Sequence, residues 1–224
     1  MYVELSYPIG PELTVMDPGL KKPQVVPRSR IADGKSSNTS YVELFAHTGT
    51  HIDMPWHFNE EGRQILDFEI GEFVFSRVNL LDIPKEAYQP VGRDELAPFE
   101  DLIAASDALL IRSGFSKERQ ADPERYVRGT PGLSVEAAQF LSGFAELRCV
   151  GVDFISIENV GEARQIGYPV HHALLDRSQP MILLEDANLA VLGARQIARL
   201  FLFPLRIEAL EASPVTAVAE IGNQ

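Results

Sequence analysis

The sequence predicts an α/β or α+β chain organised on a mixed, barrel-like sheet with few short helices. Three observations predict it. Short apolar and β-branched runs outnumber stretches with a 3.6-residue period. The strict βαβ alternation of an all-parallel sheet is missing. No segment repeats at a fixed period. At 224 residues and 45% hydrophobic, the chain suits one domain, 1–224, with apolar content for a sizeable core.

Tyr2 to Ser6 reads as a first strand, stopped by Pro8. From about residue 8 to 39, five prolines (8, 11, 18, 23 and 27) and weak periodicity predict a long irregular loop. Between Asp17 and Asn38, Lys21, Lys22, Arg28, Arg30 and Lys35 are offset only by Asp17 and Asp33. This basic stretch suits a flap near a site or an arm reaching a neighbouring subunit. Arg28 or Arg30 could then pair with a substrate carboxylate; a solvated loop is the plain alternative. Tyr41 to Ala46 is a strand, Phe58 to Arg63 a turn, and Phe73 to Ile83 a strand closed by Pro84. Gly92 to Leu96 opens a short helix with acids in its first turn. Asp107 to Gly114 reads as a buried strand running into a polar loop, and Lys117 to Arg128 as a charged loop. Ser134 caps a helix from Val135 to Leu141. Leu147 to Phe154 and Met181 to Leu184 are further strands. Leu200 to Glu208 and Val215 to Ile221 make a terminal pair, with Pro204 as an irregularity.

The net charge of −12 argues against a nucleic-acid partner. The single cysteine, Cys149, excludes an intrachain disulfide and sits in an apolar run, so a buried inert thiol is expected. The first residues lack the basic and apolar regions of a signal peptide, and no apolar run approaches the length of a membrane span. A cytoplasmic protein acting on a small molecule is expected.

Function concentrates in His47-Thr48-Gly49-Thr50-His51-Ile52-Asp53-Met54-Pro55-Trp56-His57. His47, His51, Asp53 and His57 are all odd-numbered, so an extended chain turns them to one face and sends Ile52, Met54 and Trp56 into packing. Phe58 reaches a substrate only if the chain bends after His57. A helix is disfavoured by Gly49, Pro55 and the β-branched residues. A straight strand would hold His47 and His51 about 13 Å apart, too far for one ion, so a bend at Gly49 is predicted. Imidazole and carboxylate donors without cysteine suit Zn²⁺, Mn²⁺ or Fe²⁺. His47, His51 and Asp53 supply three ligands and leave a position open for water, the mark of a catalytic site. His57 is left as a base.

His47-x-Gly49-Thr50-His51-x-Asp53-x-Pro55-x-His57 resembles the signature of the metal-dependent cyclase family, which includes bacterial kynurenine formamidases. The likeness runs from Glu4-Leu5-Ser6-Tyr7-Pro8 to the C-terminal strands. It implies a sheet-rich swivelling β/β/α fold and a second metal position in which Asp53 bridges two ions. His171 or His172, after Pro169-Val170, and Glu185 match the remaining ligands, giving one or two Zn²⁺, or Mn²⁺, per subunit. Asp153, Ser156 and Glu158 could orient ligands from behind, although Phe154 and Glu158 depart from the family pattern. The expected reaction is hydrolysis of a non-peptide C–N bond, with His57 as general base and then acid. N-formylkynurenine, giving kynurenine and formate, is the substrate the resemblance favours. Opening of isatin, a lactam or a lactone is the alternative, as is a cyclase or dehydratase using the metal as Lewis acid. A metal-binding scaffold without catalysis is a third reading, against which a non-ligand His57 speaks. A homo-oligomer, dimer or tetramer, is expected.

Overall fold

The computed structural model describes residues 1–15 and 17–222. Its strands are β1 (Tyr2–Glu4), β2 (Gln24–Ser29), β3 (Thr39–Glu43), β4 (His51–Asp53), β5 (Val74–Phe75), β6 (Val78–Asp82), β7 (Ala108–Arg112), β8 (Cys149–Val152), β9 (Ile182–Glu185), β10 (Ile197–Pro204) and β11 (Ala212–Ile221). One sheet runs β5-β10-β11-β4-β9-β8-β7-β6, with β1 also on β11. β6 to β9 are parallel to one another and the remaining pairs are antiparallel.

The ends of this path, β5 and β6, are separated in sequence by only Ser76 and Arg77. Three Cα steps span at most about 11 Å, so the sheet has to curl until its ends nearly meet. Asp107 makes the break: its carboxylate accepts the amide N–H of Ser76 at 3.1 Å and of Arg77 at 2.9 Å. The run from Phe73 to Ile83, expected as one strand, is therefore two strands on opposite sides of the barrel seam.

Alternate residues of the buried strands serve two cores. Ala108, Leu110, Cys149, Ile182 and Leu184 fill the barrel interior with Ile52 and Phe75. Leu109, Ile111, Val150, Val152 and Leu183 face the other side. Burial on both faces is why these strands read as unbroken apolar runs. The helices are short: α1 (Arg93–Leu96), α2 (Glu100–Ala104), α3 (Glu118–Ala121), α4 (Pro123–Arg128), α5 (Val135–Ser142), α6 (Val160–Ile166) and α7 (Pro169–Leu175). α5 starts as expected, with Ser134 Oγ accepting the Ala137 N–H at 3.1 Å. It packs against α7, which crosses the outer face of the sheet beside β4.

Two further stretches differ from expectation. Lys117 to Arg128 is not a loop but α3 and α4. Asp122 caps α4 by accepting the Arg125 N–H at 3.0 Å, and Pro123 takes the first helical position. The high charge obscured a segment whose Arg119, Tyr126 and Val127 are buried. The segment 8–39 carries β2, which pairs with β3 as a separate two-stranded ribbon. Nearly every residue of this ribbon is exposed. A strand buried on neither face shows no apolar alternation to reveal it. Among the described residues, no helix is long and apolar enough to cross a membrane.

Candidate metal centre

β4 pairs with β9 so that His51 stands opposite Glu185 and Ile52 opposite Leu184. Ile52 and Leu184 enter the barrel interior. His51, Asp53 and Glu185 must then project from the outer face, beneath α7. Gly49 lies in the left-handed region at φ 63°, and the chain bends there as expected. The bend brings the His47 and His51 ring centroids to 5.1 Å. The extended thread does not continue to residue 57, because Pro55–His57 is a 3₁₀ turn. That turn places the His57 ring 4.3 Å from His47 and carries Phe58 to the wall of the same cavity.

α7 adds one histidine and withholds its neighbour. His171 is buried, with Nε2 3.9 Å from Asp53 Oδ2 and 3.6 Å from Glu185 Oε1. His172 is exposed and pairs with Asp176 at 2.8 Å. All six residues singled out by sequence, His47, His51, Asp53, His57, His171 and Glu185, meet in one cluster.

A hydrogen bond fixes the tautomer of His51. His51 Nδ1 lies 2.8 Å from the Gly49 carbonyl, which can only accept, so Nδ1 holds a proton and His51, when neutral, presents its lone pair at Nε2. That lone pair faces Asp53 Oδ1 at 3.3 Å and Glu185 Oε2 at 3.5 Å. His51 Nε2 is buried and without a hydrogen-bond partner, and buried Asp53 Oδ1 has no aligned donor although His47 Nδ1 lies 2.8 Å away. Each such orphan costs on the order of 1–3 kcal/mol. Buried acceptors converging without an aligned donor are what a cation satisfies, and the nitrogen and oxygen ligand atoms fit Zn²⁺ or Mn²⁺. Donor atoms of His47, His51 and Asp53, and separately of Asp53, His57 and His171, lie close enough to hold an ion.

The electrostatics agree. Burial alone would lower the pKa of His47, but Asp53, helped by Glu211 and Glu185, carries it up to about 10. Burial is likewise outweighed at His171, where Glu158, Glu185 and Asp53 hold the ring at about 9. The cluster's negative charge thus demands protons wherever no other cation is present. His57 goes the other way: burial, aided by its histidine neighbours, pushes it down to about 4 against the pull of Asp53. It is the neutral imidazole of the group. At Cys149, desolvation pushes the thiol up, as expected of an inert buried sulfur.

The cluster opens on a cavity of about 300 Å³ with a mainly apolar wall, including Val15, Leu20, Phe45, Phe58, Ile155 and Tyr168. The N-terminal segment contributes Val15, Asp17 and Leu20 to its lining. Neither Arg28 nor Arg30 lines it; Arg30 instead donates to Ser40 Oγ at 3.1 Å inside the ribbon. A roomier cleft at the barrel seam gathers no histidine, and its Asp82 and Arg112 neutralise each other.

Sequence reasoning missed two groups. Glu211 Oε1 lies 3.3 Å from His47 Nε2, brought there only by the pairing of β11 with β4. Asp186, left-handed at φ 51°, accepts from Arg119 Nε and Nη2, both at 2.9 Å, and from the Tyr126 hydroxyl at 2.7 Å. Its carbonyl accepts from Thr50 Oγ1 at 2.6 Å, tying Glu185's neighbour to His51's neighbour. The reading of 117–128 as a loop hid Arg119 and Tyr126. The left-handed backbone at Asp186 has no signal in the sequence.

Residues 3–159 match the Cyclase family model. A kynurenine formamidase of Bacillus cereus is 28% identical over 183 residues, 82% of this chain and 80% of that protein. One of Bacillus thuringiensis is 25% identical over 97% of this chain and 96% of its own length. Isatin hydrolase A of Labrenzia aggregata, solved bound to benzyl benzoate, superposes with a TM-score of 0.81 at 23% identity over 98% of this chain and 93% of that one. The family match spans β1, the ligand ribbon and the loop after β8 and stops before α7 and β9. With the histidine-aspartate ribbon folded on its sheet and most of the length matched, the chain belongs to the Cyclase family.

Proposed function

We propose that this chain is a metal-dependent hydrolase that cleaves a non-peptide C–N bond, with N-formylkynurenine as its substrate and kynurenine and formate as products. The observation that carries the reading is the convergence of buried ligand atoms at the end of an apolar cavity, with His51 Nε2 unpartnered and facing Asp53 and Glu185. The kynurenine formamidases that match most of the chain supply the substrate. His47, His51 and Asp53 would hold one Zn²⁺ or Mn²⁺, and Asp53, His171 and Glu185 a second. Bound there, the metal supplies Lewis acidity, acidifying water and polarising a carbonyl.

The protein's own groups do the rest. His57, neutral and on the cavity wall, takes a proton at Nε2 from the attacking water and returns it to the departing nitrogen. Phe45, Phe58 and Tyr168 receive an aromatic ring and keep bulk water from the carbonyl. A second reading, opening of a cyclic amide such as isatin, is favoured by one feature. No lysine or arginine lines the described cavity, so a neutral ring is matched better than a substrate carboxylate. The test is to strip the protein with a chelator, reload it with Zn²⁺ or Mn²⁺, and assay N-formylkynurenine, isatin and a simple lactam. Metal-dependent formate release is expected. Faster ring opening of isatin favours the second reading, and inertness of the loaded protein toward all three overturns both.

The same reading includes a cytoplasmic homo-oligomer. Val25 and Val42 pair across the β2–β3 ribbon and are 56% and 64% exposed, with Val26 and Tyr41 beside them. An isolated two-stranded ribbon is marginal in water, and this one leaves those four side chains uncovered, so a second copy is its fitting cover. Glutamate at both valines should lower the mass found by sedimentation to that of a monomer. A monomeric wild type removes the idea.

A further inference from the structure

The loop after β8 grips the second group of candidate ligands from behind. Ser156 Oγ and the Ile157 N–H donate to Glu185 Oε1 at 3.2 and 2.6 Å. Glu158, 3% exposed, turns its carboxylate to the start of α7. There it accepts the backbone N–H of Val170 at 3.2 Å and of His171 at 3.3 Å, and meets His171 Nδ1 at 2.7 Å. Glu158 Oε2 already accepts a backbone N–H, so it acts as an acceptor toward the ring as well. Nδ1 carries the proton and Nε2 is left open toward Asp53 and Glu185. The loop can lie this close because Gly132, at φ 68°, has no Cβ; one would fall 2.8 Å from Asn159 N and 3.1 Å from the Glu158 carbonyl carbon.

The two halves of the cluster are therefore backed differently. Behind His51 stands a neutral backbone carbonyl; behind His171 stands a carboxyl group. We propose that Glu158 is the positioning residue of the second half-site, fixing the tautomer and ring plane of His171 and strengthening cation binding in that half-site without touching the first. The inference rests on the metal reading above. Carboxylate partners of this kind strengthen a ligating imidazole, and their loss costs about ten- to a hundredfold in metal affinity.

The experiment titrates Co²⁺ into metal-free wild type, Glu158→Gln and Glu158→Asp, with calorimetry giving stoichiometry and visible absorption reporting the ligand field. Wild type is expected to bind two ions. Glu158→Gln should bind one of them about ten- to a hundredfold more weakly and leave the other unchanged. Glu158→Asp keeps the charge near α7 but withdraws it by one methylene, so it should give a smaller loss confined to the same ion. It also serves where the glutamine variant fails to fold, which a thermal melt reveals. Equal weakening of both ions points to general damage and overturns the proposal, as do two ions bound as tightly as in wild type. A wild type that binds no Co²⁺, or a single ion, overturns the two-site reading beneath it.

Discussion

Asp53→Asn should abolish loading of both ions and lower kcat/KM by about a thousandfold or more, near 4 kcal/mol. The carboxylate is buried, and its two oxygens serve different neighbours. Oδ1 lies 2.8 Å from His47 Nδ1 and 3.3 Å from His51 Nε2. Oδ2 lies 4.0 Å from His57 Nε2 and 3.9 Å from His171 Nε2. Asparagine keeps the shape but replaces one acceptor with a donor, so at least one half meets an N–H where it needs a lone pair, and both lose the charge. A variant that keeps both ions and near-normal turnover would contradict the shared role of Asp53.

The same substitution has a signature in the metal-free protein. His47 is raised to about 10 and His171 to about 9, against ordinary values near 6.5. Groups raised in this way contribute stability that is complete below pH 6.5 and is lost as the pH rises through 9 to 10. The melting temperature of metal-free wild type should fall across that range. In Asp53→Asn the fall should shrink without vanishing, because Glu158 and Glu185 still act on His171. Cation loading at pH 7 should release the protons that these rings hold, seen as a dependence of the binding heat on the buffer. An absence of proton release would mean that the rings are not the donors.

The ligand ribbon was legible because its information is local. The odd-numbered spacing required one face, and the 13 Å problem required the bend that Gly49 makes. The resemblance supplied the second cluster, and α7 chose His171 over His172 by turning the latter to solvent. The barrel was legible as a strand excess, but its seam was not. Nothing within Phe73 to Ile83 shows that Asp107, some thirty residues on, takes the two amides that split the run. Glu211 was hidden for the same reason, being near the ribbon only through the pairing of β11 with β4, while Arg119, the partner of Asp186, lay in a charged segment read as a loop. The β2–β3 ribbon was missed because exposed strands carry no burial pattern. What one sequence hides is thus mainly what long-range pairing creates.

His57→Ala should leave both ions bound and lower kcat by about 10² to 10⁴, with little change in KM. His57 is the one histidine of the cluster whose pKa is pushed down, to about 4, so its ring is neutral, with a free lone pair, throughout the neutral range. Its ring lies against His47 and Phe58, with centroids at 4.3 and 4.4 Å, and faces the cavity. Its Nε2 is also near enough to Asp53 and His171 to be a ligand, so the two roles have to be separated by measurement. A ligand's removal lowers the ion count in step with turnover. A base's removal leaves the count intact, and the activity returns in part when free imidazole is added to fill the space and carry the proton. Full ion content, a loss in kcat and rescue by imidazole together assign the proton transfer to His57. Loss of an ion without rescue moves His57 into the coordination shell, and the base must then be sought elsewhere on the cavity wall.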